Sequence, residues 1–287
     1  MNPWVAGARP RTLPAAVVPV AVGTAVAVGE GIVMWRFLAA LIVALAIQVG
    51  TNFANDFQDG VRGTDDVRVG PVRLVASGLA SASAVRTAAL ASFGLAAVFG
   101  LALAAAVGWE LVLVGLLSFA AGWLYTGGPK PYGYLGLGEV FVFVFFGLVA
   151  TVGSFYVQTG EVTALAVGAA IPVGLLATAL LVINNLRDIP TDAEAGKRTL
   201  AVRLGDRTTR IVYVTMLVDV FLLVVVLGVT ARMPALLGLV GIGFAIPPIR
   251  RVQAGAKGPE LIPVLGATGK AQLVTGVLLA FGLALGG

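Results

Sequence analysis

Apolar residues fill long stretches of this chain almost without interruption, and the polar residues collect between them. Nine stretches have the roughly 20-residue length that a membrane-spanning helix needs: 13–29, 36–56, 84–107, 110–126, 135–157, 163–187, 210–230, 234–249 and 264–285. The 234–249 stretch is short and carries Pro247 and Pro248, which predicts a tilted or broken segment. Many stretches are rich in Gly and Ala, which let helices approach closely in lipid. The pattern predicts an all-α integral membrane protein with about nine transmembrane helices, forming a single domain over 1–287.

Composition agrees and narrows the chemistry. Of 287 residues, 59% are hydrophobic and only 11% are charged, against about 25% charged in soluble domains. Cysteine and histidine are absent, which excludes disulfides, thiolate nucleophiles, Cys/His zinc sites and His-based triads. The net charge of +5 reports topology rather than nucleic-acid binding. With the helices alternating across the bilayer, all of the 19 basic residues except Arg36 and Arg232 fall on the side of the N-terminus. The positive-inside rule puts that side in the cytoplasm and the C-terminus outside. Arg9 and Arg11 precede a first apolar stretch long enough to span, so it reads as a retained helix rather than a cleaved signal.

Acidic residues are scarce, yet they cluster after the second and sixth stretches. The first cluster is Asn52, Asn55, Asp56, Asp59, Arg62, Asp65 and Asp66. On a continuing helix Asn52, Asp56 and Asp59 share a face, and Asn55 pairs with Asp59 on the next stripe. The second holds Asn184, Asn185, Arg187, Asp188, Asp192, Glu194, Lys197 and Arg198. Pro190 lies inside it and predicts a bent helix end. The recurrence of Asn-x-x-x-Asp suggests two pseudo-repeated halves, about 1–130 and 131–287. Two acidic clusters at one cavity repel unless cations lie between them. Two Mg²⁺ ions bridging a diphosphate resolve the conflict with oxygen ligands. Lys197 and Arg198, with Arg62 and Arg68 as weaker candidates, are placed to bind the remaining phosphate oxygens. If the diphosphate hangs from an allylic lipid, the apolar helices hold its tail and keep water from the carbocation left behind.

Several motifs together resemble the UbiA family of intramembrane prenyltransferases: Asn55-Asp56-x-x-Asp59, Asp188-x-x-x-Asp192, Ala8-Arg9-Pro-Arg11-Thr-Leu-Pro14, Gly70-Pro71-x-Arg73-x-Val75-x-Ser77-Gly78, Tyr125 to Glu139, and Gly196-Lys197-Arg198-Thr199. The resemblance covers nearly the whole chain. It implies helices around a central cavity open to the cytoplasm, Mg²⁺ as cofactor, and a polyprenyl diphosphate and an aromatic acceptor as partners in a bacterial plasma membrane. It implies Asp56, Asp59, Asp65, Asp66, Asp188 and Asp192 as metal ligands, with Asp59, Asp188, Lys197 and Tyr125 at the chemistry. Asn55, Arg62, Arg73, Lys130, Arg187, Arg198 and Asn184 then bind substrate, and Arg9, Arg11 and Arg73 are candidates for an acceptor carboxylate. The family pattern has a further carboxylate at position 63, which here is Gly63. The nearest branch transfers a polyprenyl group to 1,4-dihydroxy-2-naphthoate with loss of CO₂, giving demethylmenaquinol. Other acceptors (4-hydroxybenzoate, homogentisate, haem) and a transport function are the alternatives. Asp219 stands alone inside the seventh stretch, and the Phe141–Phe146 run reads as lipid-facing or packing surface.

Overall fold

A computed structural model describes residues 2–64 and 73–287; Asp65, Asp66 and Arg68 lie outside the described residues. Every element in them is helical. A short N-terminal helix, Pro3–Ala8, leads into α1 (Pro14–Val26), α2 (Met34–Arg62), α3 (Ala82–Val107), α4 (Glu110–Leu124), α5 (Gly138–Thr159), α6 (Ala164–Glu194), α7 (Leu200–Thr230), α8 (Met233–Gln253) and α9 (Gly258–Leu285). Among the described residues, α2, α3 and α5 to α9 are long and apolar enough to cross a membrane, whereas α1 and α4 are shorter apolar helices. Each falls on a stretch that the hydrophobic pattern marks.

The most enclosed spans are α6 and α9, and α1 packs against both. Val18, Val22, Val173, Val224 and Leu279 build one core, and Leu176, Ile183, Tyr213, Leu217 and Leu265 a second. Backbones meet closely where glycines allow it. A Cβ on Gly147 of α5 would lie 2.4 Å from the Cα of Gly174 on α6, and one on Gly174 would strike the Phe143 ring at 2.8 Å. Next to this crossing, α5 widens into a π-helical stretch, Phe143–Val149.

Three departures from the sequence pattern have local causes. First, α6 does not end at Pro190 but runs through it to Glu194, with the Thr191 hydroxyl donating to the Asp188 carbonyl at 3.1 Å. Second, α8 is continuous from Met233 to Gln253, but its first half, Met233–Gly241, is wound as a tighter 3₁₀ helix. Third, α7 is kinked at Gly205, whose φ of 75° only glycine adopts readily.

The two basic residues assigned to the opposite side share one task. Arg36 donates to the carbonyls of Ala106, Val157 and Gln158 at the ends of α3 and α5. Arg232 donates to those of Ala25, Val26 and Leu283 at the ends of α1 and α9. Last-turn carbonyls have no partner within their helix and carry the negative end of its dipole. We expect Arg232→Met to leave several half-buried carbonyls unsatisfied, at about 1–3 kcal/mol. A lowered thermal midpoint for the purified protein, measured against the wild type, checks this.

Candidate active site

Helices α2 and α6 end in the same way. At α2, Gly63 takes a left-handed conformation (φ 71°), its N–H bonds the Gly60 carbonyl, and the Thr64 N–H bonds the Asp59 carbonyl. At α6, Gly196 (φ 73°) bonds the Ala193 carbonyl, and the Lys197 N–H bonds the Asp192 carbonyl at 2.8 Å. Both are Schellman caps, and each holds an aspartate three positions before the cap. Gly63 occupies the left-handed position of this cap, which glycine adopts without strain, where the family pattern has a carboxylate. By position relative to the caps, Asp192 matches Asp59, and Asp188 matches Asn55.

The two ends meet at the mouth of a cavity of about 800 Å³. Asn55, Asp59, Asn184, Asp188, Asp192 and Lys197 line this end, and Arg9 and Arg73 also line the cavity. A carboxylate near a helix C-terminus sits where the dipole is already negative, so both helix ends demand cations. The protein supplies some itself. Asp59 is 2% exposed and faces Lys197 Nζ at 3.2 Å and Arg73 at 4.0 Å. Asp188 is gripped in a two-pronged pair by Arg187, whose Nε and Nη2 lie 2.6 and 2.7 Å from its oxygens. Arg187 Nη2 also donates to Asn184 Oδ1 at 2.8 Å.

Other predicted residues stand elsewhere. Both oxygens of Asp56 accept backbone N–H groups, from Leu74 at 2.8 Å and Val75 at 3.0 Å. Asp56 thus anchors the chain beside Arg73 and does not line the cavity. Arg62 donates to the carbonyls of Thr126 and Gly128 and braces the turn after α4. Asn55 Oδ1 accepts from the Thr126 hydroxyl. Lys130 and Arg198 are exposed and outside the cavity lining. Asp219 is half-buried on α7, also away from the cavity.

Tyr134 was not singled out by the sequence, although it lies within the quoted Tyr125–Glu139 stretch. Its hydroxyl donates to Asp59 Oδ1 at 2.6 Å, and Lys197 Nζ lies 4.9 Å from its ring centre. Burial, reinforced by the negative charge of Asp59, pushes its phenol well above the ordinary range. The shift favours the protonated form that donates to Asp59. Below the mouth runs an aromatic row: Tyr125 meets Tyr132 edge-on at 5.5 Å, Tyr132 stacks on Phe141 at 3.9 Å, and Phe141 on Phe145 at 5.9 Å. Phe141, Phe145 and Phe146 line the cavity rather than facing lipid. The π-helical stretch that holds Phe145 and Phe146 belongs to a class of distortion common at functional sites.

At the N-terminal elbow, Arg9 is the one non-glycine residue with positive φ (54°) among the described residues. Asn52 holds this elbow by donating to the Ala8 carbonyl and to Thr12 Oγ1, which also accepts from Gln48.

Below the mouth the cavity is apolar. Along α2 its lining runs from Asp59 to Ala40, about 28 Å at 1.5 Å per residue, close to the thickness of a bilayer core. Leu101 and Leu116 line it and are 50% and 59% exposed, so its α3–α4 flank communicates with the surrounding lipid. The donor set at the mouth fits a hard divalent cation: carboxylate and amide oxygens, without sulfur or imidazole. Among the described residues no three carboxylates stand together as a ready-made metal cluster, so an ion here would need oxygens from its ligand as well.

Fold and site together define a helical membrane protein with a lipid-length cavity lined at one end by acids and cations. The chain belongs to the UbiA prenyltransferase family, which matches residues 16–259. It is 50% identical over 284 residues to 1,4-dihydroxy-2-naphthoate octaprenyltransferase of Mycobacterium tuberculosis (strain ATCC 25618 / H37Rv), covering 99% of this chain and 97% of that one. It is 36% identical to the protein of the same name from Escherichia coli (strain K12), covering 98% and 95%. A UbiA homolog from Archaeoglobus fulgidus, solved bound to GPP and Mg²⁺, superposes with a TM-score of 0.71 over 98% of this chain and 99% of that one, at 14% identity.

Asp56→Ala removes two charge-assisted hydrogen bonds, each worth about 1.5–3 kcal/mol. We expect a clear fall in thermal midpoint together with loss of activity, whereas a metal ligand alone would lose activity without that fall; comparing melting curves with and without Mg²⁺ separates the two roles.

Proposed function

We propose that this protein transfers a polyprenyl group from its diphosphate to 1,4-dihydroxy-2-naphthoate, with loss of CO₂, to give demethylmenaquinol in menaquinone biosynthesis. The observation that carries the reading is the single cavity that joins Asp59, Asp188, Asp192 and Lys197 at its mouth to a bilayer-deep apolar channel; relatives of the same length with that activity support the acceptor. Asp59, Asp188 and Asp192, with the amide oxygens of Asn55 and Asn184, are the groups that would hold Mg²⁺. When bound, the ion neutralises charge growing on the leaving diphosphate; two ions are the expected number. Asp65 and Asp66 belong to the same proposal but lie outside the described residues.

The chain's own groups do the rest. Lys197 exchanges its carboxylate partner for a phosphate oxygen, and Arg73 stands beside it. As the bond between C1 and the diphosphate oxygen breaks, the faces of Tyr125, Tyr132 and Phe141 shelter the allylic cation from water and stabilise it through their rings. The ring carbon of the acceptor bonds to C1, and the carboxylate it carried leaves as CO₂, returning its electron pair to the ring. Arg9, held at the elbow, meets that carboxylate beforehand. The mouth faces the cytoplasm of a bacterial cell, following the basic residues around it, and the two halves are read as repeats whose capped helix ends face each other.

Prenylation of dihydroxynaphthoate by purified protein, with 4-hydroxybenzoate offered separately, tests the reading. Naphthoquinol product that requires Mg²⁺ and disappears with EDTA is the expected result. Turnover of 4-hydroxybenzoate alone would discard the acceptor, and flux of ions or lipid without chemistry would favour transport. Asp59→Asn and Asp188→Asn should each lower kcat/KM at least about 100-fold, on the order of 2.7 kcal/mol of transition-state stabilisation. Tyr134→Phe should lower it about tenfold, and the wild-type rate should show no loss attributable to Tyr134 ionisation below pH 10.

A further inference from the structure

The cavity contains five glycines of two kinds. Gly122 and Gly133 are fixed by packing: a Cβ would lie 2.6 Å from Thr51 Oγ1 at the first and 2.7 Å from the Tyr125 carbonyl at the second. Gly100 on α3, Gly115 on α4 and Gly153 on α5 also line the cavity, yet a Cβ on any of them would meet nothing within 4 Å. Glycine weakens a helix interior relative to alanine. In membrane helices it is usually found where a second helix needs close approach, and no neighbour approaches these three. All three have ordinary helical backbone, so no turn demands them either.

What they leave is space. Gly115 lies on α4 about 10 Å of helix rise below Gly122, and Gly153 lies about 18 Å along α5 below Phe141, so they stand in the half of the cavity remote from the acids. Gly100 and Gly115 adjoin Leu101 and Leu116, the residues at which the cavity meets the lipid. We propose that Gly100, Gly115 and Gly153 are the specificity-determining positions for the length of the prenyl donor: by carrying no side chain they keep the deep half of the channel and its side opening wide enough for a long tail. The inference rests on the proposed prenyl-transfer reading and adds to it the positions that select the donor. A short donor ends above these glycines and is indifferent to them. A long one has to pass between them into the deep cavity and the lipid.

The test uses full-length protein in detergent with ten-, twenty- and forty-carbon allylic diphosphates. Gly100→Leu, Gly115→Leu and Gly153→Leu, singly and combined, are compared with Gly94→Leu. Gly94 is on α3, is exposed and outside the cavity lining, and a Cβ there likewise meets nothing within 4 Å. The expected result is that the ratio of kcat/KM for the forty-carbon donor to that for the ten-carbon donor falls at least tenfold in each cavity variant and further in the triple variant. Gly94→Leu should leave both the ratio and the activity unchanged. Equal losses for all donors, or an unchanged ratio in the triple variant, would overturn the proposal. Thermal stabilisation by the same diphosphates in Mg²⁺ is read in parallel. Stabilisation that grows with tail length in the wild type and is lost in the triple variant, without transfer to any acceptor, would retain the channel assignment and discard the prenyl-transfer reading. Absence of any length dependence by either readout, with transfer intact, would discard the channel assignment and leave the prenyl-transfer reading standing.

Discussion

Carboxylates at the C-terminal ends of helices, at the edge of a hydrocarbon layer, are electrostatically expensive, and much of this molecule answers that cost. Asp59 and Asp192 occupy equivalent positions in two helix caps, where the dipole adds to their charge. They cannot be left alone in such a place. The chain brings Lys197, Arg73 and Arg187 against the clustered acids, with Tyr134 as a donor. Each of these is buried or half-buried, and buried pairs are held by mutual need rather than large net gain. Such a site is primed to exchange partners, because an incoming anion with its own cations satisfies the acids and the bases together.

The cap geometry also links this electrostatics to the backbone. Gly196 turns the chain so that Lys197 follows Asp192 by one tight loop, and its side chain crosses to the acid on α2. The pair Lys197–Asp59 therefore ties the end of α6 to the end of α2. Asp56 does comparable work without facing the cavity. By receiving the N–H groups of Leu74 and Val75, it fixes the residues that follow Arg73. One acidic cluster thus divides into a residue that faces the cavity and one that builds its wall.

That division was not legible in the sequence. The apolar helices were, because their signal is local: an apolar run of sufficient length must be a helix in lipid, and seven of them are long enough to span among the described residues. The two clusters were also visible, because acids are rare here. The roles inside them depend on tertiary partners. Helical spacing places Asp56 and Asp59 on one face, but only the fold decides that Asp56 meets backbone donors. Arg62 looked like an anion ligand and instead grips the turn at Thr126 and Gly128. Pro190 predicted a bent helix end, and the helix runs on through it to Glu194. Tyr134 and the Phe141 row carry no charge pattern at all. The π-helical widening of α5 that places Phe145 and Phe146 has no periodic signature a sequence reading could use.

The mouth and the channel follow opposite rules, and this gives the molecule its form. At the mouth Asp59 is held by Lys197, Arg73 and Tyr134, and Asp188 by two nitrogens of Arg187, so these carboxylates are fixed in place. In the channel, Gly100, Gly115 and Gly153 withhold contacts that larger residues would make. Rigid placement suits bond breaking, where small displacements of the reacting atoms are costly. Open space suits a flexible tail, whose burial is roughly proportional to apolar area and not directional. The aromatic row from Tyr125 to Phe145 lies where the two regimes meet. Its rings pack on one another, and all of Tyr125, Tyr132, Phe141 and Phe145 line the cavity.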